Sequence, residues 1–122
     1  MLEDHSTPII TDEYIVQMHA RAKPYSLMIL KAGEARHQDG AEKILWEHAR
    51  EIHALRVQGL LSIVCPVSDG SELEGIGIFN ASVEEVKTIM DEHPGVNAGI
   101  FVYEIHPCRG FPGDSLPEER AT

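Results

Sequence analysis

Residues 41–58, AEKILWEHAREIHALRVQ, followed by Gly59 and then LLSIVCPV at 60–67, decide the fold of this chain. The first eighteen are good helix formers throughout, and Gly59 stands where a chain leaving a helix needs left-handed backbone. At about 100° per residue, Ile44, Leu45, Ile52 and Leu55 fall on one apolar stripe, so this helix packs against a layer. LLSIVCPV is short and apolar with the length of a strand. Upstream, YSLMIL (25–30) reads as a strand that ends in KAGEARHQDG (31–40), where Gly33 and Asp39-Gly40 are loop chemistry. Downstream, the polar run SDGSELEG leads into GIGIFNA (75–81), a third strand that pairs with the second as a hairpin. Ser82-Val83-Glu84-Glu85 is a capping box that opens a second helix with Val83, Val86, Ile89 and Met90 on one side. His93-Pro94-Gly95 ends it, because the residue before proline is pushed out of the α region. IFVYEIHPC (100–108) is the last strand.

The order βαββαβ is that of the α+β ferredoxin-like split βαβ unit, in which both helices cover one face of a four-stranded antiparallel sheet. Residues 1–24 read as an N-terminal extension, with Thr11 or Asp12 capping a short helix that carries Ile15, Met18 and Ala22. Residues 25–108 form the domain, and 109–122, rich in proline, glycine and acids, form a tail. The strands are apolar on both parities: Tyr25, Leu27 and Ile29 alternate with Met28 and Leu30, and Phe101, Tyr103 and Ile105 alternate with Val102. A half-solvated sheet alternates apolar with polar. The face without helices therefore needs cover, and a second copy of the chain supplies it, enclosing a cleft.

With 122 residues the chain makes one domain with one core. Ten Lys and Arg against 20 Asp and Glu give a charge of -10, which repels phosphate backbones and anionic lipid, so nucleic acid and membrane are excluded as partners. The N-terminus, MLEDHSTPIITDEY, lacks an apolar signal core, and no stretch has the length of a bilayer span. Cys65 and Cys108 form neither a disulfide framework nor a CxxC pair, which points to a reducing cytoplasm.

Trp46 through Pro66, with His48, the run HAREIHALRVQGLL, Gly59 and the proline after the strand, resembles the YCII-related family of the dimeric α+β barrel superfamily. The later run SVEEVKTIMDEHPGVNAGIFVYEIHP is similar to the second helix, turn and last strand of the same family. The resemblance spans roughly residues 25 to 108. It implies a dimeric α+β barrel enzyme with a His-Asp pair, the histidine on the first helix of the domain and the aspartate just before the proline after the second. By that match His48 takes the histidine role. The aspartate position falls on His93, a departure, with Asp91 two residues upstream.

The residues also speak without the family. His48 lies inside the apolar stripe and points at the sheet, where a partly buried imidazole near neutral pKa serves as acid or base. The alternative is a core histidine satisfied by a neighbour such as Glu51, one turn away. His93 continues the apolar side of the second helix if its phase holds past Met90, whereas Asp91 points away; alternatively His93 bonds the last helix carbonyls. Glu104 and His106 share a strand face with Val102, where a carboxylate needs a cation, a histidine or a ligand. Cys65 ends the second strand as a small hydrophobe or, less simply, a nucleophile. Glu104, His106 and Cys65 are the candidate substrate-binding residues of the cleft.

Seven histidines and the pair His106 and Cys108, two apart on a strand, raise metal binding, but His48 and His53 are out of phase on their helix. No HExxH motif, phosphate loop or dinucleotide fingerprint is present, so the expected state is free of metal and cofactor. Trp46, His53 and Val57 form a second patch on the far side of the first domain helix, expected to be covered by the extension or a partner. Asp69, Glu72, Glu74, Glu84, Glu85, Asp91 and Glu92, with Lys87 against them, read as a solvated face. The function this supports is proton transfer on a small organic molecule, a lyase or isomerase without organic cofactor in which His48 works with His93 or Asp91. A non-catalytic small-ligand module and a metal- or haem-binding protein are the rivals.

Overall fold

The computed structural model describes residues 7–120. The elements run α1 (Asp12–Arg21), β1 (Lys23–Ala32), α2 (Ala41–Val57), β2 (Leu61–Pro66), β3 (Leu73–Phe79), α3 (Val83–Asp91), α4 (Pro94–Asn97) and β4 (Phe101–Gly110). The chain divides into two compact units, one spanning Pro24–Cys108 and the other built from residues up to Lys23 and from Arg109 onward.

The larger unit is a four-stranded sheet in the order β2-β3-β1-β4. β3 is antiparallel to both β1 and β2. The end of β1 meets the start of β4, where Gly33 N–H donates to Ile100 O at 2.8 Å. This is the ferredoxin-like arrangement.

Each strand gives one parity to the helices. Ser26, Met28 and Leu30 of β1 are buried, and Leu27 and Ile29 between them are half-buried on the other face. The register sets Met28 opposite Gly77, Leu27 opposite Ile78 and Ile29 opposite Ile76. Val64 of β2 lies opposite Gly77, and Cys65 lies opposite Ile76. β3 thus turns its isoleucines to the open face and its glycines to the helices. A Cβ on Gly77 would come within 2.9 Å of Leu61 Cδ1, so the bare strand is what lets Leu61 and Met28 meet above it. The core on that side joins Met28, Leu30, Leu61, Phe79 and Phe101 to Ile52 and Leu55 of α2 and Val86 and Met90 of α3.

Helix ends follow their sequence signals. α2 closes with Leu60 N–H on Leu55 O and Gly59 N–H on Arg56 O, a Schellman turn that uses Gly59 at φ +81°. The capping box is formed: Ser82 Oγ accepts from Glu85 N–H at 3.1 Å, and Glu85 Oε1 accepts from Ser82 N–H at 3.2 Å.

Several boundaries differ from the sequence reading. β1 and β3 are longer at their adjoining ends than 25–30 and 75–81 allow, because their ladder continues across a bulge after Leu30 to pair Lys31 with Leu73. The second domain helix ends at Asp91, and a separate turn, α4, begins at the proline. Trp46 is 62% exposed and Val57 89% in the single chain. Glu74 is also no part of a solvated face, since it is half-buried against Arg36 Nε at 2.9 Å.

In the smaller unit, Thr11 caps α1 by accepting from Tyr14 N–H, and no residue of α1 is buried. Arg109 Nη2 donates to Ala22 O at 3.0 Å, and the rings of His19 and Phe111 lie 5.8 Å apart.

Gly33 is a sharp test of this packing. A Cβ there would overlap the carbonyl oxygen of Gly99, which is backbone and has nowhere to go. Gly33→Ala is expected to cost about 3 kcal/mol in urea unfolding, the upper end for overpacking, whereas Gly70→Ala, in open space at φ +82°, is expected to cost only the left-handed backbone penalty of about 1–2 kcal/mol. Equal midpoints for the two variants would contradict the close approach of the loop to the start of β4.

Candidate active site

His48 sits on the sheet-facing side of α2, half-buried, with its ring 4.5 Å from that of Phe101 on β4. Its Nδ1 is buried and has no hydrogen-bond partner among the described residues. Glu51 does not satisfy it.

His93 reaches the same place by a different route. Helical phase does not hold past Met90; instead His93, in extended backbone before Pro94, is the N-cap of α4. Its ring turns inward, leaving the residue 3% exposed, and Nδ1 accepts from Gly95 N–H at 3.3 Å. The bond to helix carbonyls considered from sequence is replaced by this cap. A neutral imidazole that accepts through Nδ1 carries its proton on Nε2. That Nε2 is the second buried polar atom without a partner among the described residues.

The two imidazoles lie with ring centroids 4.8 Å apart, edge to face. Gly95 makes room for Phe101 beside the pair: a Cβ there would stand 2.6 Å from Phe101 Cδ2, whereas its 3.7 Å to His48 Nδ1 is ordinary contact. α4 closes with Ile100 N–H on Gly95 O and Gly99 N–H on Val96 O, so cap, turn and strand start form one tight corner.

Burial chiefly, then the neighbouring His93 and Arg36, pushes the His48 pKa down to about 4. Burial also lowers that of His93, against an opposing pull from Glu51. Both rings are therefore neutral at pH 7, and His48 lies below the near-neutral value expected from the sequence because burial disfavours its charged form.

Arg36, from the loop after β1, completes the surroundings. Its guanidinium lies 5.9 Å above the Phe101 ring, and its Nε is held by Glu74. The sequence carries no signal for Arg36 beyond a polar loop.

The other sequence candidates lie elsewhere. Asp91 is exposed and engaged by Tyr103 OH and by Lys87 Nζ, the latter at 3.0 Å. These bonds, Tyr103 first, hold its carboxyl below the ordinary value. Asp91 makes no hydrogen bond to either histidine. Glu104, His106 and Cys65 are on the open face of the sheet, away from the imidazole pair, so one cleft does not gather all six candidates. Glu104 meets Lys31 Nζ at 2.5 Å and His106 Nε2 at 3.1 Å, the compensation that a carboxylate on an apolar face requires. The hydrogen bond from Lys31 is the largest influence holding Glu104 below its usual range. Cys65 and Cys108 are free. Among the described residues no group of three or more His, Cys, Asp or Glu is placed to hold a metal ion. No described helix is long and apolar enough to cross a membrane.

No family model and no curated protein matches the chain. Among solved structures, it is similar to the 5-chloro-2-hydroxyhydroquinone dehydrochlorinase TftG from Burkholderia phenoliruptrix AC1100, in complex with 2,5-dihydroxybenzoquinone. That match has a TM-score of 0.46 and 16% identity, covering 67% of this chain and 90% of that one. A likeness of this degree does not bear on function, and the YCII-related resemblance rests on residues 46–66 and 82–107 alone.

The buried histidines make stability depend on pH in a defined sense. The folded pKa of His48 is depressed from 6.5 to about 4. The unfolded chain thus takes up a proton first as pH falls, so stability is full above about pH 6.5 and declines toward pH 4. The loss expected from His48 is on the order of 2 kcal/mol, discounted for its half-exposure. Urea midpoints measured between pH 7.5 and pH 4.5 should fall for the native chain and fall less for His48→Gln; parallel curves would remove the neutral, desolvated imidazole.

Proposed function

We propose that this chain is a small-molecule lyase or isomerase that works by general acid/base catalysis without an organic cofactor. One observation carries the reading: two neutral imidazoles 4.8 Å apart, each with a buried ring nitrogen that has no partner among the described residues. Buried polar atoms are normally paired, and leaving two unpaired side by side costs about 1–3 kcal/mol for each group. Such a cost is repaid where a ligand supplies the missing partners.

The two residues differ in what they can do. His93 is fixed by its cap as a donor through Nε2–H, suited to an oxygen on which negative charge grows. His48 has no hydrogen bond to a described residue that fixes its tautomer, so its Nδ1 can accept a proton. In the proposed step, His48 takes a proton from a carbon next to a carbonyl or similar group: the C–H bond breaks, an N–H bond forms, and the electron pair moves onto the oxygen facing His93. The electrons then return, and either a leaving group departs from the adjacent carbon or the proton is delivered to another atom. Asp91 is given no part in this step, being tied to Tyr103 and Lys87.

The expected measurement uses hydrogen–deuterium exchange. A pool of small ketones, hydroxy acids and enols incubated with the protein in D2O is followed by NMR for exchange or elimination at carbon. His48→Gln is expected to slow the reaction of any responding compound at least about 100-fold, in the range general acid/base groups supply. An undiminished rate in that variant would retire the catalytic reading in favour of a site that only holds a ligand.

The same proposal includes a homodimer in the reducing cytoplasm, built through the open sheet face. That face carries Leu27, Ile29, Ile63, Ile76, Ile78 and Val102, of which Ile76 is 37% and Val102 51% exposed. It also carries Glu104, His106 and Cys65, which are proposed to line the enclosed cleft as binding groups. Light scattering at micromolar concentration is expected to give the dimer mass for the native chain and the monomer mass for Ile76→Asp. A native chain that stays monomeric would exclude this assembly.

A further inference from the structure

The groups left without a partner around the imidazole pair differ in sign from the chain as a whole. The protein carries a net charge of -10, yet close enough to His48 to act on its charge stands a cation, Arg36. Glu74 takes only its Nε, at 2.9 Å; its two terminal nitrogens bond no described residue. The guanidinium lies over Phe101, the same ring against which His48 packs.

The loop that carries it is laced down rather than loose. Gly33 N–H donates to Ile100 O, Ala35 N–H donates to Gly99 O at 2.9 Å, and Arg36 N–H donates to Gly33 O at 3.2 Å. Arg36 is therefore fixed to the corner between α4 and β4 that also positions His93 and Phe101. Glu74 fixes the plane of the guanidinium, and partial burial of the pair, 23% and 19% exposed at the side chains, limits screening.

The polar groups open to a ligand are thus the guanidinium fork, which bonds no described side chain through its terminal nitrogens, together with one buried imidazole N–H and one buried imidazole nitrogen that can accept. Two donors, one of them charged, and one acceptor describe a ligand with an anionic oxygen and a proton to surrender. Resting on the acid/base reading of His48 and His93, we propose that the substrate is a small carboxylate, or an acid whose enolate forms in the site, and that Arg36 binds its anionic oxygen. A guanidinium suits this role better than an ammonium because its paired N–H groups match two oxygens at once.

The test uses benzoate and its neutral isostere benzamide, with the imidazole signals of His48 and His93 as the readout in the full chain. Benzoate is expected to shift both sets of signals saturably and to bind at least about tenfold more tightly than benzamide, a difference of about 1.4 kcal/mol. Arg36→Gln should abolish that preference and Arg36→Lys should retain part of it; backbone amide spectra of each variant establish that it is folded. Glu74→Gln, which keeps the guanidinium, serves as a second variant and should still prefer benzoate. Equal affinity for the two probes, no shift with either, or a preference that survives Arg36→Gln would overturn the proposal. The acid/base reading is judged separately, by the pH titration of the His48 signals in the same samples and by the exchange assay. An anion site can thus fail while neutral imidazoles with a His48-dependent reaction remain.

Discussion

A proline fixes the geometry around the two imidazoles. Because Pro94 bars helical backbone at residue 93, α3 cannot run on, and His93 is forced into the extended conformation that makes it a cap. The turn aims its ring into the protein, and the cap settles which nitrogen keeps the proton. Gly95 then admits Phe101 to the space a side chain would fill, and Phe101 in turn packs against the His48 ring. One backbone restriction thus determines the depth, tautomer and neighbours of the pair.

The sheet separates two chemistries. On its helix side, the imidazole nitrogens are neutral and unpaired, and charge reaches them through Arg36. On its open side, charge is paired internally, Glu104 with Lys31 and His106. An unpaired imidazole nitrogen is costly in the first setting, while the ion pair in the second is accessible to solvent and contributes little to stability. The glycines of β3 allow this division, since they let the helices and large side chains close over the sheet while Ile76 and Ile78 face the other way.

What can be read from the chain is what local chemistry controls. Gly59, the Ser82–Glu85 box and the apolar stripe of α2 each specify a structure within a few residues, and strand order follows from them. His48 is legible for the same reason, as a polar residue in the phase of an apolar stripe. His93 is legible through the wrong cause: helical periodicity carried through a proline points to it, although the residue owes its burial to a cap. Arg36 leaves no trace, because its partners Glu74 and Phe101 are brought to it by strand pairing across long stretches of sequence. Asp91 loses its place beside the histidines to Tyr103, two positions beyond Phe101 on the same strand, a competition that spacing does not record. Strand parity puts Glu104 and Cys65 on a face, but it does not say which face a distant helix will cover.

The single tryptophan has a consequence for how this protein would be watched in solution. Trp46 stands on the outer side of α2 and remains largely in water in the folded chain. Its fluorescence has little further to shift when the chain unfolds, so the usual optical signature of denaturation will be muted even though the core is lost. Anything that comes to rest on that helix will instead dry the indole and move its emission to shorter wavelength. The residue is an intrinsic dye for association, reading the outside of the molecule while the core stays dark.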